Sequence, residues 1–158
     1  MRTWLAALAL LLVPGLQAAT IHGKVSHVTD GDTLWVRPAQ GGRPVAIRLL
    51  DLDAPEACQA FGPEAKQALR SRVQGAGVIV RTQGVDDYGR QLAHVEHRGQ
   101  DLGRWLVRSG YAWSMRFQGR TGPYAAAEAQ ARRERSGLWA TSDPVEPRTF
   151  RQRHGPCH

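Results

Sequence analysis

Residues 20 to 50 hold three strand-forming stretches joined by turns too short for any other element. IHGKVSHVT alternates apolar with polar residues, TLWV follows Asp30-Gly31, and VAIRLL follows Gly41-Gly42 and Pro44. Asp-Gly between alternating runs is a strong hairpin signal, so these stretches predict an antiparallel meander with one face buried. The three stretches make a three-stranded meander joined by short turns.

The rest of the chain carries helix signals as well as further strands. PEAKQALRSRV, residues 63 to 73, predicts a helix stopped by Gly75 and Gly77. VIVRTQGV and QLAHVEH predict two more strands on either side of the turn DDYGR, with Gly89 left-handed. Asp101 is placed to cap a short helix, LGRWLVRSG, stopped by Gly110. Pro123 precedes YAAAEAQARRERSG, an alanine-rich helix with Glu128 four residues before Arg132, ended by Gly137. Three prolines and scattered arginines from Ser142 onward predict an extended tail. The expected fold is α+β, mainly β: a five-stranded OB-fold barrel with about three helices. There is no internal repeat, and 158 residues suit one such domain.

Arg2 precedes an unbroken apolar run over residues 5 to 13, followed by Pro14-Gly15 and the small residues Ala18 and Ala19. The layout is that of a secretory signal peptide over residues 1 to 19, and the run is too short to anchor in a bilayer. The alternative is an N-terminal core helix. On the first reading the domain spans 20–141, a basic proline-containing tail spans 142–158, and the mature protein is periplasmic or secreted, without membrane attachment.

Export bears on Cys58 and Cys157, the only cysteines. In an oxidising compartment they could pair, and spacing alone leaves two free thiols as the alternative. The closing HGPCH also offers His154, Cys157 and His158 as soft-metal ligands, against the plainer reading of a frayed basic tail.

Charge is unevenly placed. Residues 20 to 97 carry nine Lys/Arg against nine Asp/Glu, whereas residues 98 to 158 carry eleven arginines against five acids. A basic flank beside a neutral, carboxylate-bearing half suits a polyanion held by one part and worked on by the other.

Asp32 is a second carboxylate where Asp30-Gly31 already makes the turn. In RLLDLDAPE, residues 48 to 56, strand alternation predicts Asp51 and Asp53 on one face. Taken alone this is a strand leaving the core, and DDYGR alone is a β-turn. In order, however, DGDT, R-x4-DAPE and YGR resemble the staphylococcal nuclease (thermonuclease) family. The similarity runs from about residue 20 to 139 and takes in LVRSGYA and EAQARRERSGLW.

The resemblance implies a five-stranded barrel with three helices that hydrolyses DNA and RNA phosphodiesters with Ca²⁺. It places the calcium ligands on Asp32, Asp53 and the backbone carbonyl of Ala54, and the catalytic groups on Arg48, Arg90 and Glu56. The chemistry asks for the same residue types. Hard divalent cations take oxygen ligands, and the three motifs hold no Cys or His that would favour zinc. Guanidiniums give paired donors to the charge that builds on an attacked phosphate, and a carboxylate off the metal can activate water.

Two departures stand out. Ala54 replaces a threonine whose main chain ligates, so calcium binding is expected to survive. Asp87 replaces a lysine near the substrate phosphate, which is expected to shift the balance between chain ends and internal bonds. The tyrosines of the family's base pocket do not align onto residues 113 to 118, so no stacking residue is assigned.

The leading expectation is an exported, monomeric, calcium-dependent nuclease. A barrel that binds single-stranded nucleic acid without cutting it is the alternative. A secreted structural or adaptor module gives no reason for Asp32, Arg48, Glu56 and Arg90 to occur together.

Overall fold

A computed structural model describes residues 19–155 and 157. The expected signal peptide falls almost wholly on residues 1–18 and lies outside the described residues. The first three strands are β1 (Thr20–Asp30), β2 (Thr33–Pro38) and β3 (Val45–Leu49), joined as an antiparallel meander. A two-residue β4 (Leu52–Asp53) and helix α1 (Gly62–Val73) follow. Next come β5 (Gly77–Val85), β6 (Gln91–His97) and the short β7 (Gln100–Asp101). Helix α2 (Leu102–Arg108), β8 (Trp113–Ser114), α3 (Ala125–Arg133), a 3-10 turn (Gly137–Ala140) and α4 (Pro147–His154) complete the described elements.

Antiparallel β1 carries β2 on one side and β5 on the other, and β6 pairs antiparallel with β5. The sheet closes where β3 meets β6 in parallel, Ile47 opposite Gln91 and Leu49 opposite Ala93. Five strands thus form the expected closed, OB-type barrel. Register shifts in β1, between Val25 and His27 and again between Val28 and Asp30, supply the coiling that a strand needs to serve both halves of a small barrel.

Strand alternation sends Val25, Val28, Leu34, Val36, Ile47, Leu49, Val80, Ala93 and Val95 inward, each at most 2% exposed. Helix α1 packs Ala65, Leu69 and Val73 beneath β1, while α2 adds Leu102, Leu106 and Val107 to the same core. Each fully buried Leu or Val contributes about 1.5–3 kcal/mol relative to exposure. A smaller cluster of Trp113, Ala131, Leu138 and Trp139 joins α3 to the 3-10 turn.

The cap at Asp101 and the Glu128–Arg132 pair expected from sequence are both present. The Asp101 side chain accepts from the Arg104 amide, and Glu128 accepts from Arg132 Nε at 2.8 Å. Glu128 also does more than stabilise its helix: it is buried and accepts the Ser114 amide at 2.7 Å, pinning β8 to α3. Arg132 lies over the Trp139 ring, 3.7 Å from its centroid, so it is committed to the fold rather than to a basic face.

Two expectations need correction. The tail is not simply extended: α4 brings the helix count to four. Pro147 sits in its first turn, where proline's fixed φ and missing N–H suit a helix start. Nor do Asp51 and Asp53 share a face. Asp51 has φ 65°, a left-handed kink that interrupts alternation just before β4. Its carboxylate lies 3.3 Å from His94 Nε2, whereas Asp53 turns to Arg48.

Candidate active site

Four of the residues singled out from sequence meet at one end of the barrel, where β2, β3 and β4 come together. The β1–β2 turn delivers the first. A side chain on Gly31 would place its Cβ 2.7 Å from the Ala54 Cβ and 2.9 Å from the Ala65 Cβ, so only glycine lets the turn press against α1 and the β4 exit. This close approach sets the Asp32 carboxylate against the Ala54 amide, which donates to Oδ2 at 3.0 Å. The Asp30 side chain accepts the Asp32 amide at 3.2 Å and holds the turn in shape.

Arg48 stands opposite Thr33 in the β2–β3 ladder, one residue from Asp32. Its Nη1 lies 2.6 Å from Asp32 Oδ2 and its Nη2 donates to Asp53 Oδ1 at 3.1 Å. The Leu49 and Leu52 carbonyls accept from Nη1 at 3.3 and 3.4 Å, so the guanidinium plane is held by backbone as well as by charge. Arg90 enters from the β5–β6 turn. The Asp86 carboxylate accepts from Arg90 Nε at 2.8 Å and from the Tyr88 and Arg90 amides, and Gly89 is left-handed at φ 78° as expected. Burial works against ionising Asp86, but the Arg90 hydrogen bonds outweigh it and hold the carboxyl below its usual range. Arg90 Nη1 then donates to Thr33 Oγ1, which in turn donates to Asp32 Oδ1, each at 3.2 Å.

Glu56 sits past Pro55, its amide donating to Gln59 Oε1 at 3.1 Å. Its carboxylate is joined to Asp53 by a residue that nothing in the sequence singled out. Arg151 of α4 donates from Nη1 to Glu56 Oε1 at 2.6 Å and from Nη2 to Asp53 Oδ2 at 3.0 Å. Desolvation opposes its charge, but those two partners more than compensate and raise its pKa further. Cys58 and Cys157 are joined as a disulfide with a Cα–Cα distance of 5.6 Å, which sets the end of the tail against the Glu56 loop. Cys157 is thereby no free ligand for a soft metal. One of eleven similar arginines carries no mark of its own in sequence; Pro147 and the spacing to Cys157 were the available hints.

Burial pushes the Asp32 carboxyl from its ordinary 3.8 up to about 6; Arg48 pulls it down, and neighbouring Asp30 pushes it up. A carboxyl whose folded pKa exceeds its unfolded value binds protons more readily when folded. The protein is therefore expected to lose stability as pH rises from near 3.8 to about 6 when no divalent cation is supplied. Asp32→Asn should flatten that part of the curve, read as denaturation midpoint against pH. An unchanged slope would show that Asp32 ionises as freely as in the unfolded chain.

The donor set fits a hard cation. The carboxylates of Asp32 and Asp53 are bridged by one guanidinium, so the site already favours positive charge between them. Among the described residues no three His, Cys, Asp or Glu side chains converge as a metal cluster. A cation here would have two carboxylates, backbone oxygen and water, a set suited to calcium at modest affinity.

The chain is similar to several known proteins. Residues 46–141 match the family model described as staphylococcal nuclease homologue. Protein ParB of Escherichia coli is 37% identical, over 93% of this chain and 88% of that protein. A protein called micrococcal nuclease from Shigella flexneri is 34% identical, over 92% and 90% respectively. An uncharacterized endonuclease of Escherichia coli O157:H7 is 36% identical, over 85% and 88%.

Proposed function

The chain belongs to the staphylococcal nuclease family, and from that membership we propose that it is a calcium-dependent nuclease cutting phosphodiester bonds in both DNA and RNA. The observation that carries the reading is the convergence of Asp32, Asp53 and Glu56 with Arg48 at one barrel end, with Arg90 tied in through Thr33. Each residue type has a task there.

Asp32, Asp53 and the Ala54 carbonyl would hold the calcium, which would supply positive charge to neutralise the phosphate and polarise the P–O bond. Arg48 reaches the phosphate from β3 and Arg90 from the β5–β6 turn. Their planar donors pair with equatorial oxygens as charge builds on them; Arg90 is held in advance by Asp86 through Nε, whereas Arg48 exchanges its Asp32 and Asp53 partners for the phosphate. Glu56, off the metal, takes a proton from the attacking water. The leaving oxygen departs opposite that water and is protonated from solvent.

We place the protein in the periplasm or outside the cell, as a monomer without membrane attachment. The apolar leader pattern and the Cys58–Cys157 bond support this, since disulfides persist in oxidising compartments. Intact-mass measurement on material recovered from periplasm or medium should show loss of roughly the first 18 or 19 residues.

The activity is tested by incubating purified protein with plasmid and with RNA, in calcium and in excess chelator. Cutting of both in calcium and none in chelator is expected, with some nucleic-acid binding kept because the arginine-rich half needs no ion. Cutting at full rate in chelator would overturn the metal-dependent mechanism. Tight binding with no cutting in calcium would make the protein a binding module.

A further inference from the structure

We propose that α4 is a strap fastened across the candidate active site, and that its Arg151 competes with the divalent cation for Asp53 and Glu56. The inference rests on the reading of Asp32 and Asp53 as cation ligands. Three observations carry it.

First, Arg151 engages both groups that a working site must free. Its two terminal nitrogens reach Asp53 Oδ2 and Glu56 Oε1, so one side chain covers the carboxylate assigned to the cation and the carboxylate assigned to the water. A guanidinium and a divalent cation cannot share Asp53 Oδ2 without strong repulsion, so binding of one disfavours the other.

Second, the strap is tied at both ends to the loop that carries Glu56. Gln59 is buried, and its Nε2 donates to the Val145 carbonyl at 2.6 Å just before α4, while its Oε1 accepts the Glu56 amide. Just after α4, Cys157 is bonded to Cys58. Arg151 is therefore held close to its partners even when its side chain swings away, and its effective concentration at the site stays high.

Third, the helix between the anchors is lightly held. Pro147 is the only buried residue of α4, and the Arg151 side chain is 38% exposed. Water reaches the ion pairs, and no apolar core has to be broken to open them. The match to the family model ends at residue 141, before α4 begins. The strap thus lies outside the matched nuclease portion and acts upon it.

The consequence is a site whose demand for calcium is set by its own tail. Substrate phosphate and calcium together displace Arg151, whereas low calcium leaves Asp53 and Glu56 paired. The test is the calcium dissociation constant of the full mature protein without nucleic acid, measured by titration calorimetry. Arg151→Ala is expected to tighten calcium binding by about tenfold or more. Cys157→Ser, which unties one end and leaves Arg151 in place, should shift affinity the same way by a smaller factor. Arg153→Ala removes the same charge from an exposed position of the same helix and should change affinity by less than about twofold, because an exposed charge is screened. The calcium concentration giving half-maximal plasmid cutting should move in parallel.

Equal affinity in wild type and Arg151→Ala overturns the strap alone. A similar gain from Arg153→Ala also overturns it, since general electrostatics would then explain the effect. Absence of calcium binding in wild type and in all three variants overturns the cation reading and the strap with it.

Discussion

Arg90→Lys is expected to lower turnover at saturating DNA by about 10²- to 10³-fold, the usual cost of losing one donor aimed at transition-state charge. The dissociation constant for DNA, measured without calcium, should change by no more than about threefold. The reasoning is geometric. Asp86 holds Arg90 Nε, leaving the terminal nitrogens aimed at Thr33 and the site. A lysine keeps the charge but offers neither the planar pair of donors nor a second point of attachment to Asp86. Arg48→Lys should match this loss and add another. Arg48 links Asp32 to Asp53 and is held by two carbonyls, so lysine in its place leaves buried Asp32 poorly paired and lowers the melting temperature as well. If either lysine variant loses affinity in step with activity while turnover at saturation holds, the arginines only bind phosphate and the catalytic assignment is wrong.

Glu56→Gln should cut turnover by about 10²- to 10⁴-fold, the span typical of a positioned general base. The amide keeps the size of the side chain and still accepts from Arg151, but it cannot take a proton. Because it also weakens an ion pair that holds Arg151 in place, calcium affinity should stay constant or rise. That combination separates the two roles proposed for this corner. Loss of calcium affinity in Glu56→Gln would make Glu56 a ligand. Turnover within a few-fold of wild type would remove it from the chemistry.

The relation between sequence and site varies from residue to residue. Asp32 was legible because a turn of Asp-Gly has no need of a second carboxylate. The structure adds that Gly31 has no room for a side chain against Ala54 and Ala65, which is what brings the carboxylate to the Ala54 amide. The turn that carries Arg90 was legible, with Gly89 left-handed, but the role of Arg90 came only with the family resemblance, since DDYGR alone is a β-turn. Asp51 was misjudged because alternation assumes an unbroken strand, and a single left-handed residue sends its carboxylate to His94. Arg132 counts toward the basic half by charge, and its bond to Glu128 was legible from the four-residue spacing, but its stacking on Trp139 was not.

By itself the sequence determined the elements made of local contacts: the strand meander, the helix from Pro63 onward, the cap at Asp101, the Glu128–Arg132 pair, and the order of the motifs. Short-range sterics, turn chemistry and periodic burial act over a few residues and leave their mark in the residues themselves. Only the tertiary structure decided that the tail folds back, that Cys58 and Cys157 meet, and that Arg151 rather than any other arginine reaches Asp53 and Glu56. Those contacts join positions more than ninety residues apart. A charged helix with one buried residue has no periodic signal to announce where it docks; its place is set by the partners that close the chain around it.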